Sequence, residues 1–112
     1  GGVELGERLE EALAREMREE TGLAVYVGPL IELFDRITRD EDGRVRFHYV
    51  LADYLCRVTG GTIAAGSDVS EAVLADPDDL GPYDLTPKAL EVIARGRTLA
   101  WPEGPSRKSL RV

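Results

Sequence analysis

Apolar positions at Leu9, Ala12 and Leu13 recur at helical spacing and Gly22 supplies a stop, so the pattern predicts a helix from about Arg8 to Thr21. Leu, Ala, Glu, Arg and Met, all good helix formers, fill that window, and Met17 is expected to pack beside Leu13. On a wheel turning by about 100° per residue, Glu16 and Glu20 fall on the same side as the apolar positions, with Glu19 at its edge. Arg8, Glu11, Arg15 and Arg18 take the opposite arc, where a solvent face belongs, and Glu11 and Arg15 are spaced for an i, i+4 pair.

Beyond the helix, Leu23 to Ile37 is rich in aliphatic and aromatic residues and interrupted by Gly28-Pro29, which predicts two short strands or one strand with a bulge. Asp40, Glu41, Asp42 and Gly43 form a hairpin turn, and Arg44 to Val58 is the return strand, with Val45, Phe47, Tyr49 and Leu51 on one face. Gly60-Gly61 ends the hairpin, and Thr62 to Ala65 could add a short strand. A loop follows from Gly66 to Glu71, and then an acidic turn at Asp76 to Leu80. Thr86 as N-cap and Pro87 at the first helical position open a second helix with Ala89, Leu90, Val92 and Ile93 as its apolar face, ending near Arg95-Gly96. Residues 1–96 are thus read as one domain and 97–112, with Pro102, Gly104 and Pro105, as a frayed tail.

At 112 residues the chain holds one modest core. Its net charge of -7 argues against a protein that tracks a nucleic-acid polymer by counterion release. Cys56 is the only cysteine, so no intrachain disulfide framework exists, which fits a cytoplasmic protein, and a small buried hydrophobe is its simplest role. No apolar run approaches the roughly 20 residues of a membrane helix, so no membrane partner is expected. His48, the only histidine, is flanked by Phe47 and Tyr49 on its strand and reads as a packed or hydrogen-bonded residue.

The chemistry lies in the first helix. An ionised carboxylate turned towards apolar surroundings is costly unless a cation or hydrogen-bond donors compensate it. Glu16, Glu19 and Glu20 therefore call for a positive partner, and a bound divalent metal is the simplest; a solvated, salt-bridged surface helix is the other reading of the same wheel. Upstream, Gly1, Gly2 and Gly6 surround Val3, Glu4 and Leu5 in a loop that feeds the helix N-terminus, an arrangement able to hold an anion.

The whole stretch resembles the signature of the Nudix hydrolases. That pattern is a glycine, a glutamate after five intervening residues, and after seven more an Arg-Glu-aliphatic-x-Glu-Glu-x-Gly-aliphatic run. Gly1, Glu7, Arg15, Glu16, Met17, Glu19, Glu20, Gly22 and Leu23 fill every fixed position, with Met17 where an aliphatic is expected. The resemblance implies an α/β fold, a Nudix-type α/β/α sandwich around a mixed sheet, here lacking its N-terminal strands. It implies Mg2+ as cofactor, with Mn2+ able to replace it, and a small-molecule nucleotide as substrate. The metal set it implies is Gly1, Glu7, Glu16, Glu19 and Glu20; Glu19, Glu20, Arg15 and Glu71 are the catalytic set, with Arg15 holding Glu7 and Glu71 or a helix glutamate deprotonating water. Asp68 is a poorer candidate than Glu71. The implied reaction is hydrolysis of the pyrophosphate bond in a nucleoside diphosphate derivative: ADP-ribose, a nucleotide sugar or a modified nucleoside triphosphate. The alternatives are a non-catalytic nucleotide-sensing module on the same scaffold, and a fragment active only when a homo-oligomer or complementing chain supplies the missing strands.

Overall fold

A computed structural model of the chain describes residues 2–66 and 71–101. Helix α1 (Leu9–Thr21) is followed by strands β1 (Leu23–Arg39) and β2 (Val45–Gly61), a 3-10 turn (Gly81–Tyr83) and helix α2 (Pro87–Thr98). The chain is α/β as expected. Among the described residues its sheet is one antiparallel pair, β1 with β2, where a mixed sheet was anticipated.

α1 ends where the sequence places its stop. Gly22 adopts φ 76°, the left-handed conformation that closes a helix, and its N–H donates to the Arg18 carbonyl at 3.0 Å. At the other end the Glu11 carboxylate accepts the Arg8 N–H at 2.8 Å. The expected Glu11–Arg15 pair gives way to this cap, because a first-turn N–H has no intrahelical partner.

β1 runs unbroken through Gly28-Pro29, against the expectation of two strands or a bulge. In a pair, each strand has an outer edge, and there a proline's missing N–H costs no ladder bond. The turn is as predicted: the Gly43 N–H donates to the Asp40 carbonyl at 3.0 Å, and one Asp40 carboxylate oxygen accepts the Asp42 and Arg44 N–H groups, each at 2.9 Å.

The chain divides into two compact units, Gly1–Gly28 with Cys56–Thr86, and Pro29–Leu55 with Pro87–Val112. In the first, Ala12 and Leu23 are buried. Leu9, on the same predicted face, is half exposed. The segment expected to form a strand at Thr62–Ala65 is irregular instead. It is held by the helix end: the N–H groups of Ala64 and Gly66 donate to the carbonyls of Thr21 and Glu20 at 2.8 and 3.0 Å, satisfying acceptors that a helix C-terminus leaves open. Cys56 belongs to this unit, and burial pushes its thiol up, outweighing a backbone hydrogen bond at Gly28, as suits an unreactive packed cysteine.

In the second unit α2 starts at Pro87, as predicted, and continues to Thr98, past the expected end at Arg95-Gly96. Val92 and Gly96 are its buried positions, and Ile31 of β1 lies against Gly96. Phe47 and Tyr49 stack with ring centroids 5.9 Å apart, as residues two apart on one strand face can, but both are exposed. His48 Nε2 is 2.8 Å from an Asp35 carboxylate oxygen, the hydrogen-bonded role expected of it.

Candidate active site

In the first unit four glutamates, Glu4, Glu7, Glu16 and Glu19, gather around one arginine. The Gly2–Gly6 stretch leads into a turn in which the Glu7 N–H donates to the Glu4 carbonyl at 2.9 Å, while the Glu4 N–H donates back to a Glu7 carboxylate oxygen at 3.0 Å. Glu7 is thereby aimed at α1 from the loop. Arg15 meets it with a two-point fork, Nε to Oε2 at 2.8 Å and Nη2 to Oε1 at 3.1 Å, the geometry in which a guanidinium holds a carboxylate best.

The same guanidinium reaches further. Its Nη1 donates to Glu16 Oε1 at 3.1 Å and to Glu19 Oε2 at 3.2 Å, its Nη2 donates to the Gly2 carbonyl at 3.0 Å, and Glu4 stands 3.7 Å from Nη1. A wheel reading puts Arg15 on the solvent arc, yet its side chain is only 24% exposed. The wheel fixes where Cα stands, and a side chain this long can carry its charged end to a neighbouring face. For Glu16 and Glu19 a positive partner is therefore supplied, in this structure, from within the helix.

These contacts shape the ionisation of the site. The Arg15 hydrogen bond, seconded by the Glu4 N–H, holds the Glu7 carboxyl below the usual glutamate range, and Glu7 in turn raises the Arg15 guanidinium further above its already high value. Partial burial works against the charge on Glu16, but hydrogen bonding with Glu20, the charge of the chain's N-terminus and the contact with Arg15 together outweigh it and its pKa falls. Glu16 and Glu7 are mostly covered, with side chains 18% and 15% exposed, whereas Glu19 is open at 59%.

Gly66 marks a close approach. A Cβ there would collide with the Glu19 carbonyl oxygen, so only glycine lets the segment after β2 lie along the last turn of α1, beside the backbone of Glu19 and Glu20. The loop reading of Gly66–Glu71 gives no hint of this, since the contact is tertiary.

Of the residues singled out by the sequence, the structure brings together Glu7, Arg15, Glu16 and Glu19, with Glu20 on Glu16. Gly1 and Asp68 lie outside the described residues. Glu71 is exposed in irregular chain, and among the described residues no hydrogen bond or ion pair joins it to the cluster. Glu4 and the Gly2 carbonyl are additions that sequence reasoning missed. As regards a metal, the donors are all oxygens, the chemistry a hard dication prefers. In the present arrangement no group of three or more acidic, imidazole or thiol side chains stands ready for one among the described residues, because Glu7, Glu16 and Glu19 are turned onto Arg15.

Comparison with known proteins gives the same family as the motif. The NUDIX domain model matches residues 1–96. An ADP-ribose pyrophosphatase of Methanocaldococcus jannaschii is 39% identical over 80 residues, covering 71% of this chain and 45% of the relative. A protein named nucleoside triphosphatase NudI, from Escherichia coli O139:H28 (strain E24377A / ETEC), is 37% identical over 92 residues, covering 76% of this chain and 64% of that protein. The chain thus spans about half to somewhat under two thirds of the curated relatives it matches. No solved structure matches it significantly. With the motif complete and the family model covering everything from the glycine loop to α2, the chain belongs to the Nudix family.

Proposed function

We propose that this chain carries the catalytic helix of a divalent-metal-dependent Nudix hydrolase acting on the pyrophosphate bond of a nucleoside diphosphate derivative. The observation that carries the reading is the charge on one helical turn: Glu16, Glu19 and Glu20 are all present, and among the described side chains one guanidinium, Arg15, faces Glu16 and Glu19 together with Glu7 and Glu4. The names of the relatives, a pyrophosphatase and a triphosphatase, point to the same bond type.

Glu16, Glu19 and Glu20 are the residues that would hold Mg2+, or Mn2+ in its place, with Glu7 supporting them from the loop and the Gly1 carbonyl as a further oxygen. When bound, such an ion polarises phosphate oxygens and makes a coordinated water more acidic. The chain's own contribution is to supply ordered carboxylates. Arg15 fixes Glu7 by its two-point fork, and the docking of Gly66 against Glu19 and Glu20 stiffens the last turn on which two of the ligands stand. A carboxylate must also accept the proton of the attacking water. A glutamate of α1 can do so, and so can Glu71: five residues past Gly66, it lies within a chain reach of about 17 Å of the helix end. The substrate is ADP-ribose, a nucleotide sugar or a modified nucleoside triphosphate, all of which present the same diphosphate.

The test is product release from a panel of these compounds with and without Mg2+, comparing the wild type with Glu20→Gln and Glu71→Gln. The expected result is Mg2+-dependent turnover that Glu20→Gln lowers by about 10²- to 10³-fold while circular dichroism stays native. Equal turnover in wild type and Glu20→Gln rejects the ligand assignment; no turnover in any form favours a sensing role or a chain active only with a complementing partner.

A further inference from the structure

The contacts of Arg15 fall into two kinds. Towards the loop it is clamped: two nitrogens on two oxygens of Glu7, and Nη2 also on the Gly2 carbonyl. Towards the helix it offers one nitrogen, Nη1, shared between Glu16 at 3.1 Å and Glu19 at 3.2 Å, with Glu4 further off at 3.7 Å. The oxygens on that second side belong to two of the three glutamates read above as metal ligands. Like charges three and four residues apart on a helix repel one another, and Nη1 offsets part of that repulsion between Glu16 and Glu19. A dication placed among the same glutamates does the same work with twice the charge, and one carboxylate oxygen cannot serve both without loss.

We infer that Arg15 is an internal competitor for the metal ligands: it keeps Glu7 throughout, while its Nη1 lends charge to Glu16 and Glu19 and must give them up when a divalent cation arrives. This rests on the reading of the α1 glutamates as metal ligands. It assigns Arg15 two functions on opposite edges of one guanidinium, a permanent clamp and a releasable counter-charge. It also explains why those side chains are turned away from a metal-ready arrangement: the arginine has collected them.

Simple orientation and competition predict opposite signs. If Arg15 only positions ligands, its removal weakens metal binding. If it competes, its removal tightens binding. The experiment is Mn2+ binding to the 112-residue chain, followed by the paramagnetic resonance of free Mn2+ at fixed ionic strength, for wild type, Arg15→Gln and Glu20→Gln. Arg15→Gln is expected to bind Mn2+ about three- to tenfold more tightly, the range set by losing one part-buried and one more exposed ion pair. Thermal unfolding in EDTA should show Arg15→Gln less stable than wild type, with more of that loss restored by Mg2+ than the same Mg2+ adds to the wild type. A second readout needs no variant. On saturation with Mg2+, the Arg15 Nη proton signals of the wild type should shift or broaden while its Nε–H signal, on Glu7, stays in place. Arg15→Gln binding Mn2+ equally or more weakly overturns competition and leaves the metal reading standing. Unmoved Nη signals do the same and decide the matter alone if the variant does not fold. Wild type failing to bind Mn2+, or binding it as tightly as Glu20→Gln, overturns both.

Discussion

Among the described residues, two ion clusters are built on opposite plans. In the first unit one described cation, Arg15, faces Glu4, Glu7, Glu16 and Glu19. In the second, one well-covered carboxylate, Glu32, lies between two cations, Lys88 and Arg95 of α2, and Lys88 also meets Glu91 at 3.6 Å and the Phe34 ring at 4.6 Å. The second cluster balances: two cations, two carboxylates, one element tied to another. In the first, the described side chains leave an excess of carboxylates over cations. A cluster that balances has no charge to offer a ligand and reads as a brace, whereas one with an excess of carboxylates would be suited to a further cation, as the proposed function requires.

If that contrast is right, the two clusters respond oppositely to the same kind of change, and most strongly in activity. Glu19→Gln should lower Mg2+-dependent turnover by about 10²-fold or more while leaving Tm within about 2 °C of wild type, since it removes one of several repelling charges. Glu32→Gln should leave the ratio of turnover with and without Mg2+ unchanged. Steady-state kinetics beside a melting curve for each variant measures both; a Glu32→Gln enzyme whose Mg2+ dependence collapses would erase the distinction.

Next in size is the backbone contact that holds the first cluster in register. In Gly66→Ala the new Cβ runs into the Glu19 carbonyl oxygen and stands 3.0 Å from its carbon, a backbone that cannot swing aside as a side chain would. Denaturant unfolding should register a loss of about 2–4 kcal/mol. A smaller loss, under about 1 kcal/mol, would mean that the 62–66 segment is not docked on the end of α1.

The brace itself should show in pH. Lys88, first by hydrogen bond and then by charge, holds Glu32 below the ordinary 4.5, with Arg95 adding to it, and Glu32 raises Lys88 above 10.5. A carboxylate with a lowered folded pKa stabilises fully above its unfolded value and loses that contribution as pH falls through the folded one; a raised lysine stabilises below its unfolded value and loses it as pH rises through the folded one. Wild type should therefore melt above Glu32→Gln by roughly 4–8 °C near pH 7, the gap closing below pH 4.5 and again above pH 10.5. A gap constant across that range would rule out the ion cluster as its source.

The same contrast explains how much was legible in the sequence. α1, its Gly22 stop and the Asp40–Gly43 turn depend on residues a few positions apart, and local rules found them. The family motif found the acidic set, and with it the Arg15–Glu7 contact. What escaped depends on distant chain. Pro29 inside β1 is acceptable because the sheet is a pair with open edges, which no window of sequence reveals. Glu32 is not singled out by local rules, and its partners are 56 and 63 residues away. The lone carboxylate among Leu30, Ile31, Leu33 and Phe34 was the available signal, for such a residue seldom stays buried unpaired.

The smallest effect comes from the interior of the second unit, where packing rather than charge can be tested. Gly96 is buried in α2, and a Cβ there would stand 2.9 Å from Ile31 Cδ1, the free end of a flexible side chain. Replacing a mid-helix glycine by alanine gains up to about 1 kcal/mol of helix propensity, and moving the isoleucine end costs a similar amount. Gly96→Ala alone should thus change stability by less than about 0.5 kcal/mol, as the two effects offset. In an Ile31→Val background the colliding methyl is gone, so the propensity gain should appear nearly whole. A double-mutant cycle by denaturant unfolding measures the difference. A Gly96→Ala penalty that persists in the Ile31→Val background would place the obstacle elsewhere in the packing of α2, and would separate the fit of this helix from the ion cluster that ties it down.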